Sequence, residues 1–422
     1  MSVATRSVTD VCAAARRAAR AVATSTAEVR NGAVVAMADL LEQRADEILA
    51  ANERDVEAGR ESGLTDALID RLTLTRERID GIARDARAIA ALPDPVGETL
   101  EERRLDNGLD LQKVRVPLGV VAVVYEARPN VTIDCSALCV KSGNAIVLRG
   151  SSSAEHSNAI LADVAADAVA SVGLPAEVVS IVSGGSRDEL AELATQDELL
   201  DLIIPRGGAG LKRALTEHAT VPVLYAADGN CHVFVDATAN IEDAVEIVVN
   251  AKVQRPGVCN AAETLLVHAD IASGFLPRAL ARLQQEGVEL RVDCRARSAA
   301  GPLDGLLDAT AEDWGTEFLA LVLAVAVVDS VDEAIDHVNR YGSGHSEAIL
   351  TGSDESAGRF TAEVDAACLY VNASTRFTDG AEFGLGAEIG NSTQKLHARG
   401  PFGLRELGSY KYVLRGDGQV RP

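Results

Sequence analysis

The stretch 117-PLGVVAVVYEARPNVTIDCSALCVKSGNAIVLRG-150 decides the fold class of this 422-residue chain. It holds two short apolar runs, 118-LGVVAVVYE-126 and 145-AIVLRG-150, and the second run ends in Arg-Gly. Similar runs, separated mostly by helical patterns, follow at 178–185, 201–208 and 232–236. This alternation is typical of βαβ units and predicts a parallel sheet that is covered on both faces.

A second set of apolar runs begins after Cys259 and also alternates with helical patterns. Its members are 263–270, 318–328, 347–353 and 367–373. We therefore predict two α/β domains, of which the first is a Rossmann-type domain that binds a nucleotide and the second carries Cys259. The predicted bounds are 1–98 with 115–236 for the first domain and 237–400 for the second.

The segments outside these sheets are a helical N-terminal region and a hairpin. Residues 8–92 have apolar side chains at three- and four-residue spacing, which predicts helices. Asn107-Gly108 separates two short alternating segments, and this dipeptide is a strong signal for a β-hairpin. We predict that 99–114 and 401–422 form a small oligomerisation arm of a homo-oligomer. A simple surface hairpin is the alternative.

Composition and charge exclude several classes of protein. The formal net charge is −23 and no lysine- or arginine-rich run occurs, so a nucleic-acid-binding protein is not expected. The seven cysteines are irregularly spaced without a C-x-x-C pair, which argues against a disulfide framework and a structural zinc site. The N-terminus lacks a secretory signal, and the longest apolar run, 318–328, is too short to span a bilayer. We expect a cytoplasmic protein that binds no metal and no membrane.

Cys259 lies in 253-VQRPGVCNAAETLLVH-268, between a Pro-Gly turn and a run of small residues. Free cysteine is among the most frequently buried residues, so the local pattern leaves a packed thiol and a nucleophile both open. A nucleophilic thiolate needs a lowered pKa and donors for the oxyanion that forms when it attacks an acyl group. The backbone N–H of Cys259 is one donor, and the side-chain amide of Asn130 is a candidate for the second. For Asn130, an Asx-turn after Pro129 is the alternative.

Two glycine-containing loops follow predicted strands and precede predicted helices, at 148-LRGSSSAEHSN-158 and 204-IPRGGAGLKRAL-215. In each loop we expect glycine to let the backbone approach a phosphate, and free N–H groups of the following helix to bind it. The candidate cofactor-binding residues are Arg149, Gly150, Ser151, Gly207 and Gly208. Arg149 suits a 2′-phosphate, which would favour NADP over NAD, or else it pairs with a surface carboxylate.

Five distant stretches together resemble the aldehyde dehydrogenase superfamily, namely 117–150, 227–236, 253–268, 332–351 and 400–416. The resemblance implies an aldehyde-dehydrogenase-like α/β fold and NADPH or NADP as the cofactor. It also implies roles for particular residues. Cys259 would be the catalytic thiol, and Asn130 would donate to the oxyanion. Residues 147–150 would contact the adenosine ribose or its phosphate, and Glu317 with Phe318 would contact the nicotinamide ribose. His345 would lie near the substrate.

One departure from the superfamily pattern bears on the reaction. Hydrolytic members carry a glutamate base that activates water, whereas the matching segment here, 224-LYAADGNCH-232, has Ala227 near that place. The resemblance therefore implies a reductase of an acyl phosphate. Such an enzyme needs no activated water, because water would hydrolyse the thioester before it is reduced. The expected reaction is the NADPH-dependent reduction of L-glutamyl 5-phosphate to L-glutamate 5-semialdehyde through a Cys259 thioester. This is the second step of proline biosynthesis, and we expect functional coupling to glutamate 5-kinase.

An anionic substrate of this kind needs cations in the site. The candidates in loop-like positions are Arg128, Arg206, Arg255 and Arg376, with ordinary surface pairing as the alternative for each. Two other functions stay open. One is a thiol hydrolase or amidase that uses Cys259, for which His345 is the candidate base, and the other is a non-catalytic interaction module.

Overall fold

The computed structural model describes residues 6–225 and 228–421. The chain divides into two compact units. The first unit contains residues 6–225, 385–390 and 402–421, and the second contains 228–384 and 391–401. Both units are built from helices and parallel strands, which confirms the predicted α/β class.

The first unit begins with the helices that the apolar spacing of residues 8–92 predicts. They are α1 (Val8–Ala23), α2 (Ala27–Gln43), α3 (Ala45–Glu61), α4 (Asp66–Leu72) and α5 (Arg76–Ala91). The side chains of Ser7, Thr26, Thr65 and Thr75 each accept a backbone N–H of the helix that follows. These caps explain where the helices start, because the first N–H groups of a helix have no partner within it.

A hairpin follows the helices. Strands β1 (Thr99–Arg104) and β2 (Asp110–Pro117) pair antiparallel, and Gly108 in the connection has φ +84°, a conformation that glycine adopts without strain. The predicted Asn-Gly hairpin is therefore confirmed. The C-terminal strand Gly408–Arg415 pairs antiparallel with β2 and completes a three-stranded sheet.

The parallel sheet of the first unit alternates strands with helices. Its strands are β3 (Val120–Tyr125), β4 (Ala145–Arg149), β5 (Val179–Ile181) and β6 (Leu202–Arg206), in the order β5-β4-β3-β6. The helices that follow them are α6 (Asn130–Lys141), α7 (Glu155–Ser171), α8 (Arg187–Ala194) and α9 (Ala209–His218). Every residue of β3 and β4 is buried, as expected for parallel strands covered on both faces. The loops after these strands share the carboxyl edge of the sheet.

The second unit contains a seven-stranded parallel sheet. Its strands are β7 (Cys231–Val235), β8 (Ala262–His268), β9 (Glu289–Val292), β10 (Leu307–Asp308), β11 (Val322–Val328), β12 (Ser346–Leu350) and β13 (Cys368–Val371). Their order is β10-β9-β11-β8-β7-β12-β13. The helices of this unit are α10 (Ile241–Val253), α11 (Ala269–Gln285), α12 (Cys294–Ala300), α13 (Val331–Tyr341) and α14 (Asp354–Glu363). Two short strands, β14 (Gly390–Ser392) and β15 (Gly400–Phe402), form a separate pair.

The division of the chain differs from the predicted domain bounds in three places. The predicted arm, 99–114 with 401–422, is not a separate unit, because 99–114 and 402–421 belong to the first unit and residue 401 to the second. Strand β7, which the pattern assigns to the first domain, lies between β8 and β12 of the second sheet. Its apolar side chains, such as Val233 and Phe234, pack into the cores of the second unit, and an apolar run carries no signal for the sheet it will join. Residues 385–390, predicted in the second domain, belong to the first unit. The run 318–328 also forms a strand only from Val322, because Leu319 has φ +52°.

Three general features complete the description. All seven cysteines lie among the described residues, and no disulfide joins any two of them. Among the described residues, no group of three or more His, Cys, Asp or Glu side chains is placed to hold a metal ion. In the same part of the chain, every helix is too short or too polar to cross a membrane.

Candidate active site

The candidate residues of the second unit collect at the amino edge of its sheet. Cys259 precedes β8, Glu317 precedes β11 and His345 directly precedes β12. Since these strands are all parallel, their amino ends lie along one edge. The sequence directs attention to carboxyl edges, where ligands of open α/β sheets commonly bind. In the first unit, the candidate residues do lie at the carboxyl edge of the sheet. In the second unit, Cys259 lies at the amino edge instead.

The backbone of Cys259 is packed against Gly229. A Cβ atom added to Gly229 would lie 1.7 Å from the carbonyl oxygen of Cys259 and 2.4 Å from its Cα. The carbonyl oxygen of Cys259 also accepts the thiol of Cys231, at 3.2 Å. Cys231 is fully buried, and burial raises the pKa of its thiol, so that it remains a protonated donor. Cys259 itself is only half-buried, so its side chain is accessible while its backbone is held.

The residue after the thiol is held by a second loop. The side-chain amide of Asn260 donates to the carbonyl oxygen of Thr378 at 2.9 Å. The backbone carbonyl of Asn260 accepts the hydroxyl of Thr375 at 2.7 Å. Both threonines are buried. The loop 375–378 therefore fixes the direction in which the chain leaves Cys259.

Glu317 is connected to the same region through Gly229. Its Oε1 atom accepts the N–H of Gly229 at 2.7 Å. Burial raises the pKa of the Glu317 carboxyl, and the bond from Gly229 acts in the opposite direction. This bond uses one carboxylate oxygen and leaves the other for a ligand hydroxyl. The neighbouring Phe318 is half-buried, with the Arg291 guanidinium 5.1 Å from the centre of its ring.

Of the predicted arginines, Arg376 lies near Cys259, and Arg255 lies near Arg376. The Nε–H of Arg376 donates to the side-chain oxygen of Gln254 at 2.9 Å. Burial lowers the pKa of the Arg376 guanidinium, neighbouring Arg255 lowers it further, and Cys259 raises it. Neither arginine forms a salt bridge within residues 6–225 and 228–421, so simple surface pairing does not account for them. Two cations in this region suit an anionic substrate.

His345 is buried rather than exposed to the site. Its Nδ1 lies 2.8 Å from the hydroxyl of Ser346, which in turn lies 2.6 Å from the hydroxyl of Thr378. Burial lowers the pKa of His345 to about 4, so the ring is neutral at neutral pH. Its Nδ1 is thus directed to Ser346 and not to Cys259. This placement does not suit the base that a cysteine hydrolase would need beside its thiol.

In the first unit, the carboxyl edge of the sheet carries Arg149. Its guanidinium is 8% exposed and donates to the carbonyl oxygen of Ser186 at 2.7 Å. Within the described residues, the Nε of Arg149 has no hydrogen-bond partner. No salt bridge to its guanidinium is found there either, although Glu189 is near enough to raise its pKa. Ser151 bonds to the hydroxyl of Ser153. Gly150 is required by packing, since a Cβ there would lie 2.0 Å from the amide nitrogen of Asn158. An unsatisfied guanidinium donor fits an anionic group such as a phosphate.

The helix ends next to this loop differ from the expectation. The N–H groups of His156 and Ser157, at the start of α7, donate to the carboxylate of Asp55. The N–H of Gly208, at the start of α9, donates to the carboxylate of Glu126 at 3.2 Å. Three N–H groups at these helix ends are therefore already bonded to side chains distant in sequence, and a phosphate would compete with those carboxylates for them.

Asn130 begins helix α6. Its amide donates to the carboxylate of Asp134, one turn later, at 2.8 Å. Burial raises the pKa of Asp134 to about 6, although the bond from Asn130 lowers it. The side chain of Asn130 is therefore held by a helix partner rather than in an Asx-turn. Arg128 is exposed on the preceding loop, and Arg206 is half-buried at the end of β6.

Comparison with known proteins places these features in a family. The model of the aldehyde dehydrogenase family matches residues 2–303 and 307–398. The chain belongs to the aldehyde dehydrogenase family. Its fold is accordingly aldehyde-dehydrogenase-like, as the resemblance implies. An acetylating aldehyde dehydrogenase from Geobacillus thermoglucosidasius shares this fold, with a TM-score of 0.69 at 19% identity over 98% of this chain and 97% of that one.

Other members of the aldehyde dehydrogenase family are much more similar. The gamma-glutamyl phosphate reductase of Thermobifida fusca is 53% identical over 416 residues, which cover 99% of each chain. The crystal structure of gamma-glutamyl phosphate reductase from Thermotoga maritima has a TM-score of 0.96 at 45% identity, and covers 99% of this chain and 100% of that one. The similarity is thus spread over the whole chain and is not confined to the stretch around Cys259.

Several residues that build the candidate site were not predicted as site residues. Gly229 lies in the segment 224–232, but no motif near it indicates a contact with Cys259. Thr375 and Thr378 are more than a hundred residues from Cys259 in sequence. The one local signal is the cluster of polar residues in 374-STRFTD-379, which favours a loop with side chains that bond to the backbone. Ala227, which the sequence places near the missing glutamate base, lies outside the described residues.

Proposed function

We propose that this chain reduces L-glutamyl 5-phosphate to L-glutamate 5-semialdehyde with release of phosphate, using NADPH. This reaction is the second step of proline synthesis from glutamate. The observation that carries the proposal is the held, half-buried Cys259, with Arg376 near it and Arg255 near Arg376. Neither arginine forms a salt bridge with any of the described residues. Similarity over nearly the whole chain to gamma-glutamyl phosphate reductases supports the choice of substrate.

Cys259 performs the first chemical step in this proposal. Its thiolate attacks the acyl carbon of the substrate, phosphate leaves with the bonding electrons, and a thioester forms. The oxyanion that develops on the carbonyl oxygen accepts the backbone N–H of Cys259. The packing of Gly229 and the bond from Cys231 hold this backbone, so the donor is oriented before the substrate binds. Asn130 is proposed as the side-chain donor from the family resemblance.

Arg255 and Arg376 are proposed to bind the anionic groups of the substrate. Glutamyl phosphate carries a phosphate at one end and an α-carboxylate at the other. Arginine can contact either group with two parallel N–H bonds, and it stays charged at all relevant pH values. Arg128 is a further candidate, since it is exposed on the loop before Asn130. His345 contributes indirectly, by holding Ser346 and the Thr378 loop.

The residues proposed to contact the cofactor are those that the family resemblance implies. Arg149 and Ser151, with Gly150 between them, are proposed to contact the adenosine ribose and its 2′-phosphate, and Glu317 with Phe318 the nicotinamide ribose. NADPH supplies a hydride when it is bound. Gly207 and Gly208 remain proposed phosphate contacts, and a phosphate at Gly208 would compete with Glu126 for its N–H.

The proposed enzyme is cytoplasmic and homo-oligomeric. Seven cysteines without a disulfide suit a reducing compartment. The C-terminal strand Gly408–Arg415 exposes Tyr410, Tyr412 and Leu414 by about half of their surface, which suits a contact between subunits through the hairpin arm. Glutamate 5-kinase is the proposed source of the substrate. The acyl phosphate it makes is reactive toward water, so a short transfer between the two enzymes would protect it.

The reverse reaction tests the proposed function. Glutamate 5-semialdehyde, phosphate and NADP are mixed with the protein, and the appearance of NADPH is followed by absorbance. We expect a phosphate-dependent rate with the wild type and with Cys294→Ala, since Cys294 is an exposed thiol on α12. We expect no such rate with Cys259→Ala. A wild-type protein without a phosphate-dependent signal would disprove the proposed reaction, and equal rates in the two alanine variants would disprove the role of Cys259.

A further inference from the structure

A buried ion pair lies in the core next to the Cys259 loop. Lys252 on α10 and Glu263 on β8 are both fully buried, and the Lys252 Nζ lies 2.5 Å from the Glu263 Oε2. Burial lowers the pKa of Lys252 and raises that of Glu263, while the attraction between them opposes both shifts. Placing two charges in a core is costly, and apolar replacements of such pairs are often neutral or stabilising. A contribution to stability alone is therefore a weak explanation for this pair.

The second oxygen of Glu263 has a partner outside the core. Its Oε1 accepts the backbone N–H of Leu319 at 3.1 Å. Leu319 has φ +52°, a left-handed conformation that is unfavourable for a residue other than glycine. Its side chain is exposed, so packing does not hold it in this conformation. The bond to Glu263 is the contact that fixes the backbone at this point.

Leu319 belongs to the same short segment as Glu317. That segment contacts the Cys259 region on two sides. The Glu317 carboxylate accepts the N–H of Gly229, and the carbonyl oxygen of Leu319 lies 3.7 Å from where a Cβ of Gly257 would be. Gly257 is two residues before Cys259. The position of the Glu317 carboxylate relative to the thiol loop therefore depends on how the backbone turns at Leu319.

We propose that Lys252 and Glu263 are a positioning pair for the cofactor-binding carboxylate. Glu263 holds the Leu319 N–H, and Lys252 keeps the Glu263 side chain in the one orientation that reaches it. Together they set where the Glu317 carboxylate meets the nicotinamide ribose. This inference rests on the proposed function, because it requires Glu317 to bind the cofactor.

Two double variants separate positioning from stability. The acceptor-retaining variant, Lys252→Met with Glu263→Gln, removes both charges and keeps a carbonyl oxygen that can accept the Leu319 N–H. The acceptor-free variant, Lys252→Met with Glu263→Met, removes both charges and the acceptor. The dissociation constant of NADPH is measured without substrate, from the change in nicotinamide fluorescence. We expect it to be about tenfold higher in the acceptor-free variant than in the acceptor-retaining variant, the usual effect of leaving one N–H without its partner.

Kinetics and stability complete the test. We expect the KM for NADP to differ between the two variants in the same ratio, while the KM for phosphate does not differ. A merely structural role would shift both KM values together with the melting temperature. Equal NADPH affinities in two proteins of equal melting temperature would overturn the positioning role. If the acceptor-free variant does not fold, hydrogen exchange of the wild-type protein tests the proposal instead. Slow exchange is expected at the Leu319 amide, and rapid exchange would overturn the proposal.

The outcomes also separate this inference from the proposed function. A wild-type protein that binds NADPH but shows no phosphate-dependent reaction would disprove the proposed reaction, and the ratio of NADPH affinities would still decide the positioning role. A wild-type protein that does not bind NADPH would overturn both.

Discussion

Replacement of Gly229 by alanine tests the geometry of the site most sharply. The added Cβ would lie 1.7 Å from the carbonyl oxygen of Cys259, whereas real Cβ atoms essentially never approach another atom within 3.0 Å. The two backbones must therefore separate by about 1.3 Å. The contacting atoms are backbone, so no side-chain rotation can relieve the overlap. A misplacement of about 1 Å at a reacting group costs about 100-fold in rate, or about 2.7 kcal/mol of barrier.

We expect Gly229→Ala to lower kcat of the phosphate-dependent reverse reaction about 100-fold, and to slow the alkylation of Cys259 by iodoacetamide as well. Gly358→Ala is the matched control. A Cβ on Gly358, in helix α14, meets no atom within 4 Å. The control is expected to keep the rate of the wild type and to have an equal or slightly higher melting temperature, because alanine favours a helix interior more than glycine does. If Gly229→Ala retains kcat within about threefold, the contact between Gly229 and Cys259 does not position the thiol, and the reasoning fails.

Three further changes give independent predictions. Arg376→Gln should raise the KM for phosphate about tenfold in the reverse assay, because a charged contact to the anion is lost; an unchanged KM would remove Arg376 from the substrate site. Arg149→Gln should weaken NADPH about tenfold and leave NADH binding unchanged by fluorescence titration, since only NADPH carries the 2′-phosphate; equal losses would refute that contact. Asp134→Asn should stabilise the protein by up to about 3 kcal/mol at pH 7, because the raised pKa of Asp134 amounts to about two units of about 1.4 kcal/mol each. The pKa of Asp134 is raised on folding to about 6. Between pH of about 4 and 6, the folded wild type therefore keeps a proton on Asp134 that the unfolded chain has released, so the stability of the wild type falls as the pH rises through this range. The difference in melting temperature between variant and wild type should therefore grow over that range and stay constant above it; a difference independent of pH would contradict the assignment.

Much of the fold was predictable because its signals are local. The apolar runs from 118 to 208 form buried parallel strands, and Asn107-Gly108 forms the expected turn. The membership of β7 was not predictable, because a mostly apolar strand fits either sheet equally well. The left-handed turn at Leu319 was also hidden, since no glycine marks it and the residue sits in an otherwise strand-like run.

The site was predictable in its residue types but less so in its contacts. The thiol, the candidate arginines and Glu317 carry chemistry that the sequence displays, and the family resemblance supplied their roles. The side chains that bond to the helix ends could not be predicted from the sequence. Asp55, for example, is about a hundred residues away from the two N–H groups whose hydrogen bonds it accepts. The same holds for Gly229, which is 30 residues before Cys259 and touches it through backbone atoms alone. Long-range contacts of this kind depend on the folded sheet, which no local pattern encodes.

The central claim is that Cys259 carries the acyl group, and mass analysis of the quenched enzyme tests it directly. Wild-type protein is mixed with glutamate 5-semialdehyde and NADP in the absence of phosphate, quenched rapidly in acid and digested. The account predicts a glutamyl adduct on the peptide that contains Cys259, and its loss when phosphate is added before the quench. An adduct found on another cysteine, or one on Cys259 that phosphate does not remove, would contradict the account.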